Sequence, residues 1–386
     1  MRSHFRLLAV SLLIGLMGTA GTLSGQPNEP ASQALYPFNE RDYWGYIDKT
    51  GKIVIKADLR LALDFSEGMA AVQKDRNLYG FINTAGEMVI APRFKEVHPF
   101  SEGLAAVLEE GKWAFIDKTG KAVTAFKYEQ VRDFREGRAF VVIAGKIGYI
   151  DQNGREVIPL QFDPPFLRLQ DDFHEGLALV RQGSTMGFID ENGRFVIAPT
   201  YDALGDLSEG TAWFRQGVTW GFINRKGEKI LDNFKTEVGS FHNGRARILV
   251  IGKYGFEKYG FIDTTGKIVI PAKYDDVGDF SEGLAWVAKG NKMGYIDRDG
   301  KAITGLNFKY SDPKLCGNFS EGRAYVRSSG SFGYIDSKGK NVGSTKFDAA
   351  FPFKKGIARV EKTVKSTVNV GYINLQGQFI RTPQPQ

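Results

Sequence analysis

Trp44-Gly45-Tyr46-Ile47-Asp48-Lys49-Thr50-Gly51-Lys52-Ile53-Val54-Ile55 is the stretch that decides the fold. Two short apolar runs, Tyr46-Ile47 and Ile53-Val54-Ile55, flank a polar segment that ends in glycine. The Asp48 carboxylate can accept from turn amides and Gly51 supplies the positive φ that closes a tight hairpin, so the runs read as paired strands. The word Gly-aromatic-Ile-Asp/Asn recurs with its first position at 45, 80, 114, 148, 187, 221, 260, 294, 333 and 371, and only Ala114 replaces the glycine. A second glycine follows six residues later in every copy, from Gly51 and Gly86 through to Gly377. Copies at a mean spacing of about 36 residues fall in the range of solenoids, propellers and arrays.

Working outward, a further word, Phe-x-Glu-Gly-x-Ala, turns the chain into another strand, most clearly at Phe100-Ser101-Glu102-Gly103-Leu104-Ala105-Ala106-Val107. Its glycines are Gly68, Gly103, Gly137, Gly176, Gly210, Gly244, Gly283, Gly322 and Gly356. These words hold 28 of the 46 glycines, which explains why glycine reaches about 12% of the chain against a usual level of about 7%. One unit therefore reads as a three-stranded meander, followed by a connection that usually carries an aromatic (Phe94, Tyr128, Phe162, Tyr201, Tyr274, Phe308, Phe347). A lone meander is only marginally stable, so each unit needs its neighbours. Long helices find no room in this period, and the array is all-β.

Propellers usually have about 4 to 8 blades, most often four-stranded, and ring closure often splits one blade between the termini. This array ends on a complete meander, Ile357 to Ile380, and Leu35-Tyr36-Pro37-Phe38 resembles a degenerate first strand. The expectation is an open, curved, solenoid-like superhelix of about ten units, with a closed many-bladed β-propeller as the alternative.

Arg2, His4 and Arg6 precede an apolar run, Leu7 to Met17, and small residues follow it. That is the layout of a secretory signal peptide over 1–25, cleaved after Ala20 or Gly25, and the run is shorter than the roughly 20 apolar residues of a membrane span. Residues 26–41 read as a leader or spacer, 42–381 as the array and 382–386 as a tail. No second spanning run occurs after signal removal, so the mature chain is expected in the periplasm or medium. The single Cys316 excludes an intramolecular disulfide. The 51 basic and 44 acidic residues are interspersed, which argues against a nucleic-acid partner.

The units resemble the WG-repeat proteins of bacteria, on Trp44 to Ile55 and on Tyr274-Asp275-Asp276-Val277-Gly278-Asp279-Phe280-Ser281-Glu282-Gly283-Leu284-Ala285. The likeness extends over Tyr43 to Ile380. The naming Trp is kept only at Trp44, Trp113 and Trp220, and Tyr79, Tyr259, Phe332, Met186, Met293, Ile147 or Val370 stands elsewhere. The position asks for a large apolar plug rather than an indole. The resemblance implies a repeat architecture with no common catalytic activity.

Catalysis needs a constellation present once, whereas the acids here recur with the words. Glu67, Glu102, Glu136, Glu175, Glu209, Glu282 and Glu321 precede the turn glycine, and Asn243 and Lys355 replace them in two units. That drift suits a turn and not a general acid. One Asp per turn is too few for calcium. His98, His174 and His242 have no zinc spacing and read as surface turn residues, and Cys316 as an unreactive thiol. No catalytic, cofactor or metal residue is expected.

The irregular stretches are more informative. Units four and eight are lengthened between the connection aromatic and the next Phe, around 163–172 and 309–318, and the hairpin Ile251 to Lys258 and the stretch Lys362 to Asn369 are longer than their counterparts. Inserted loops in repeats tend to share a binding face. Phe166, Arg168, Tyr310, Lys314, Tyr254 and Phe256 are the candidate partner contacts. The expected function is a non-enzymatic scaffold for a protein or surface partner in the bacterial envelope or medium. The alternative is a carbohydrate or cell-wall binder that stacks sugars on exposed unit aromatics.

Overall fold

The computed structural model describes residues 34–75, 77–164 and 172–382, apart from the side chains of 344 and 345. The expected signal segment, half of the expected spacer and the last four residues lie outside this range. Ten antiparallel sheets follow one another along the chain, each carrying one copy of the Gly-aromatic-Ile word, and we number them blades 1 to 10. In blade 2 the strands Leu61–Ala62, Met69–Gln73, Tyr79–Asn83 and Met88–Phe94 lie side by side in chain order. The expected meander is there, and in six blades a two-residue or longer strand from the preceding connection is added to a full third strand or its remnant. The only helix among the described residues is the 3-10 turn Pro313–Leu315, and no helix is long and apolar enough to cross a membrane.

Each glycine of the word has a separate cause. In blade 1 the third strand, Ile53–Leu59, bulges against the word strand, Tyr43–Asp48, so that Trp44 faces Leu59 while Tyr46 faces Ile55. A Cβ at Gly45 would run into the Ile55 carbonyl oxygen. Blade 3 has no such strand, only the isolated bridges Trp113↔Tyr128 and Ile116↔Ala122, and there Ala114 is accommodated. The second glycine has φ +87° at Gly51, and it also abuts the preceding blade. A Cβ at Gly86 would sit 3.2 Å from Ile55, and one at Gly120 3.2 Å from Ile90. That double demand explains why this position never varies.

The core is not inside the blades but between them. One face of blade 2 (Met69, Ala71, Phe81, Ile90, Phe94) packs against the opposite face of blade 3 (Phe100, Ala105, Val107, Ile116). Blade 9 meets blade 10 in the same way through Phe332, Tyr334, Phe347, Phe353 and Val360. The word aromatic of one blade meets the Phe of the next blade's turn edge-on, as in Tyr46–Phe65 at 4.7 Å, Phe115–Phe134 at 4.9 Å and Tyr334–Phe353 at 5.1 Å. Each fully buried ring contributes roughly 1.5–3 kcal/mol, so the seams supply most of the apolar stabilisation.

The same seam joins blade 10 to blade 1. Ile357, Val370 and Tyr372 form one cluster with Phe38 and Ile47. The Tyr46 hydroxyl donates to the Leu63 carbonyl of blade 2's connection at 2.7 Å, and the Tyr334 hydroxyl to Phe351 at 2.8 Å. The Tyr372 hydroxyl donates to Pro37 of blade 1 at 2.7 Å. Asn39 adds two bonds of its own, accepting from Val370 N at 2.8 Å and donating to Val368 O at 2.7 Å. Gly51 abuts Ile380 as Gly86 abuts Ile55.

The array is therefore a closed ten-bladed β-propeller, and the open superhelix expected from the sequence is incorrect. The expectation assumed that closure divides a blade between the termini. Instead Leu35–Glu40 pairs along its whole length with Tyr43–Asp48, from Leu35↔Asp48 to Glu40↔Tyr43, so both end blades are whole. Closure is carried by side-chain packing and hydrogen bonds rather than by a shared sheet. The array consequently begins at Leu35, inside the stretch read as spacer.

Candidate functional site

The strand directions give the ring two unlike rims. The Phe-x-Glu-Gly turns and the Asp-x-x-Gly turns lie at one end of the strands, and the hairpins between the first strand and the word strand lie at the other. On the turn rim the recurrent acids act between blades. Glu67 accepts from Gly103 N at 2.9 Å, Glu102 from Gly137 N at 2.9 Å and Glu282 from Gly322 N at 2.8 Å. Asn243, which replaces Glu, still accepts from Gly283 N at 2.7 Å. A parallel ladder runs from Ser66 Oγ to Phe100 O and from Ser101 Oγ to Phe134 O, at 2.7 and 2.8 Å. Glu67, Glu102, Glu136, Glu209, Glu282 and Glu321 are inter-blade fasteners, and their side chains are occupied.

Of the histidines read as turn residues, His98 and His242 reach across seams, whereas His174 Nδ1 is buried without a hydrogen-bond partner among the described residues. His98 Nδ1 lies 2.7 Å from Asp133 Oδ1 of the next blade, and the imidazole meets Trp113 edge-on. His242 Nε2 lies 3.7 Å from Asp279 Oδ2. Among the described residues no group of three or more His, Cys, Asp or Glu side chains is placed to hold a metal ion.

The ring departs most from its own pattern at blades 7 to 9. In blade 8 the third strand dissolves after Ala302 and resumes only as Phe308–Lys309, which pairs with Met293 and Lys292. The second inserted loop then folds back. Tyr310 N donates to Asn291 O at 2.8 Å, and its hydroxyl donates to the Asp276 carboxylate. Asp312 caps the Pro313–Leu315 turn by accepting from Lys314 N at 2.8 Å, and Gly317 N rejoins the sheet at Tyr325 O.

Beneath this loop lies a cavity of about 250 Å³, lined by Arg247 of blade 7, Asp276, Asp279 and Trp286 of blade 8, and Pro313, Cys316 and Asn318 of the loop. Trp286 is buried, its indole over Gly278 and its ring 6.0 Å from that of Tyr310. The Arg247 guanidinium is 3.9 Å from Glu237. Burial, with Asp276 and Asp312 nearby, pushes the Cys316 thiol up to about 12, and burial and the bond to Asp276 push the Tyr310 phenol up as well. Both groups therefore stay protonated at neutral pH. The cavity offers a cation, two carboxylates and an amide around an apolar wall, a donor and acceptor set suited to holding a small polar group.

Tyr310 thus helps build the site, and Lys314 stands exposed on the loop above it. Phe166 and Arg168 lie outside the described residues. Tyr254 and Phe256 do not line the cavity and stand on the hairpin rim, 80% and 70% exposed at the tip of blade 7's hairpin. Arg247, Asp279, Trp286 and Asn318 were missed by sequence reasoning. A signal existed, because Trp286 and Arg247 are bulky where the same strand position holds Ala71 and Ala106, while Gly278 and Gly239 stand where Leu63 and His98 do. The word aromatics, from Tyr46 and Phe81 to Tyr372, are all buried, so they offer no surface for sugar stacking.

None of the curated proteins matches the chain. Among solved structures, a eukaryotic initiation factor matches over 90% of this chain and 94% of its own, at 9% identity and a TM-score of 0.52, a likeness of fold alone. The extracellular domain of a putative hybrid two component system from B. thetaiotaomicron gives 10% identity over 89% of this chain and 57% of its own, with a TM-score of 0.35. The Pan2 WD40 domain of Neurospora crassa gives 13% identity over 64% and 87%, with a TM-score of 0.31. The model of the WG containing repeat matches nine times, at 44–77, 79–113, 113–146, 147–164, 186–217, 220–254, 259–292, 293–330 and 332–363. All but the match at 147–164 run from a word strand into the first strand of the next blade, so a tenth unit would have to cross from blade 10 to blade 1. With more than half of its residues in these matches, the chain belongs to the WG containing repeat family.

Proposed function

We infer that this protein is an exported, non-enzymatic binding scaffold whose recognition sector is blades 7 to 9, and that its partner is a protein or surface component of the bacterial envelope. The observation that carries the reading is the cavity of about 250 Å³ beneath the second inserted loop. A pocket of about 280 Å³ in blade 3, lined by Glu109, Glu110, Lys112 and Phe126, also brings a cation to two carboxylates, but here an inserted loop and the buried Trp286 wall the space. The protonated Cys316 thiol and the cross-seam engagement of His98 and His242 support binding rather than group transfer. Carbohydrate stacking on the unit aromatics is not adopted, because those rings fill the seams.

Arg247→Glu replaces the cavity's cation by a third carboxylate at a half-buried position without touching a seam ring. Capture of envelope components by the native chain and by this variant, compared after cell fractionation, tests the reading. A partner retained by the native chain and lost by the variant supports it. An identical captured set, or a chain confined to the cytoplasm, overturns the corresponding part.

A further inference from the structure

The hairpin rim is not uniform. Blades 1 to 3 present charges of both signs there: Glu40, Arg41 and Asp42, Lys74 and Asp75, and Glu109 and Glu110 with Lys112. Blades 6 to 8 present something else. Blade 7 extends its two hairpin strands to Arg245–Ile251 and Glu257–Asp263 and closes them with Gly252-Lys253-Tyr254-Gly255-Phe256, where Gly252 N bonds to Phe256 O at 2.9 Å. Most hairpins of the ring close with two residues, such as Ala144-Gly145 or Gly290-Asn291. The longer loop lifts its side chains beyond its neighbours.

Those side chains are apolar. Tyr254 is 80% exposed, Phe256 70% and Ile251 52%, and Val218 on the adjacent blade 6 hairpin is 80% exposed. No other aromatic of the described residues is as exposed as Tyr254 and Phe256. Blade 10 also has a long hairpin, Ile357–Val364 with Thr367–Asn374, but its tip is Lys365-Ser366, so length alone does not bring exposed rings. Lys253 leans over the Tyr254 ring, and Lys289 and Lys292 stand exposed on the blade 8 hairpin beside it. The acids in this sector are Glu257 at the base of the loop, Asp202, which accepts from Gly217 N of the blade 6 hairpin, and Asp275, which Lys258 pairs and which accepts from Gly290 N.

We propose that the hairpin rim of blades 6 to 8 docks on an anionic lipid surface, with Tyr254, Phe256, Ile251 and Val218 entering the headgroup region and Lys253, Lys289 and Lys292 facing the lipid charge. A convex apolar tip has no concavity to receive a partner's side chain, whereas it can enter a soft interface, where amphipathic rings settle at headgroup level. Cations beside the rings select anionic over neutral lipid. This surface is separate from the cavity of blades 7 to 9, and the proposal does not depend on what that cavity binds.

The test is co-sedimentation with phosphatidylcholine vesicles containing about 30% phosphatidylglycerol, and with phosphatidylcholine alone. The chain is used without residues 1–25, whose apolar run would bind vesicles by itself. The expected result is sedimentation with the anionic vesicles, weakened by salt and reduced at least about tenfold by Tyr254→Ser with Phe256→Ser. Lys253→Glu should cost binding to anionic vesicles only. Both tip residues are exposed, so unchanged thermal unfolding of the variants confirms an intact ring. Absence of binding to anionic vesicles, or equal binding by the double variant, overturns the proposal, as does a protein captured through Tyr254 and Phe256 when vesicles are ignored. Arg247→Glu should sediment like the native chain, which keeps this result distinct from that of the cavity.

Discussion

Blades 2 and 3 and blades 6 to 9 fill the same space from opposite sides. In blade 2 the connection brings Leu63 alongside Ala71, bonded from Leu63 N to Ala71 O, and in blade 3 His98 lies alongside Ala106. Bulk sits on the connection and the strand is small. In blades 6 to 9 the order is reversed, with Gly205 against Trp213, Gly239 against Arg247, Gly278 against Trp286 and Gly317 against Tyr325. The summed volume is similar, so the backbone tolerates either arrangement. The consequence differs, because the reversed blades place indole, guanidinium and phenol groups on an edge where blade 2 places only methyl groups. The cavity lies where this reversal coincides with the second inserted loop.

The comparison can be broken at blade 8. Trp286→Ala removes a buried indole and should cost about 3–5 kcal/mol in urea unfolding, with m unchanged. Gly278→Leu should cost about 1–3 kcal/mol, because even its Cβ meets the indole. Together the two substitutions recreate the Leu-over-Ala arrangement of blade 2 and should be more stable than Trp286→Ala alone. A double variant at least as unstable as the sum of the singles would mean that the two halves are not exchangeable solutions to one packing problem.

What the sequence made legible is what acts over a few residues. Asp48 accepts from Thr50 N and Lys52 N at 2.8 and 3.1 Å, and Gly51 has the positive φ its turn needs, as local chemistry requires. The unit, the strand pairing and the repeat family follow from such turns. The plug position was also legible, since Ile147, Met293 and Val370 are buried without an indole. Closure was not, because it depends on how the two ends of the array relate. Leu35-Tyr36-Pro37-Phe38 was legible as a degenerate first strand, but whole blades at both ends were taken to count against a ring. The cavity escaped because Gly278 and Gly239 matter through partners eight residues away, Trp286 and Arg247, whereas the glycines that stood out were those of the turns.

The turn rim provides the control, since its fasteners are common to both halves. Glu102→Ala in blade 3 and Glu282→Ala in blade 8 each remove a carboxylate that accepts a backbone N–H of the next blade, and each should cost about 1 kcal/mol. Equal losses are expected from chemical denaturation. A loss confined to blade 8 would show that the irregular sector also loosens the rim.

The smallest effect is the most local. The hydroxyl of Thr119 holds the Asp117 carboxyl below its ordinary value of 3.8 in blade 3, and Thr265 does the same for Asp263 in blade 7, with further lowering by turn amides. A carboxyl whose folded pKa is lowered contributes stability that is present above its unfolded pKa and is lost as pH falls through the folded one. Stability from these turns should therefore persist down to about pH 4 and fade only below it. Thr119→Val and Thr265→Val should each raise the neighbouring Asp toward 3.8 in a carboxyl-resolved NMR titration. The rise should be the same in both blades, because the turn is closed by its own amides and not by the seam. If Asp263 responded more than Asp117, the longer hairpin of blade 7 would be felt at the far end of its strands, and the two rims would be mechanically coupled.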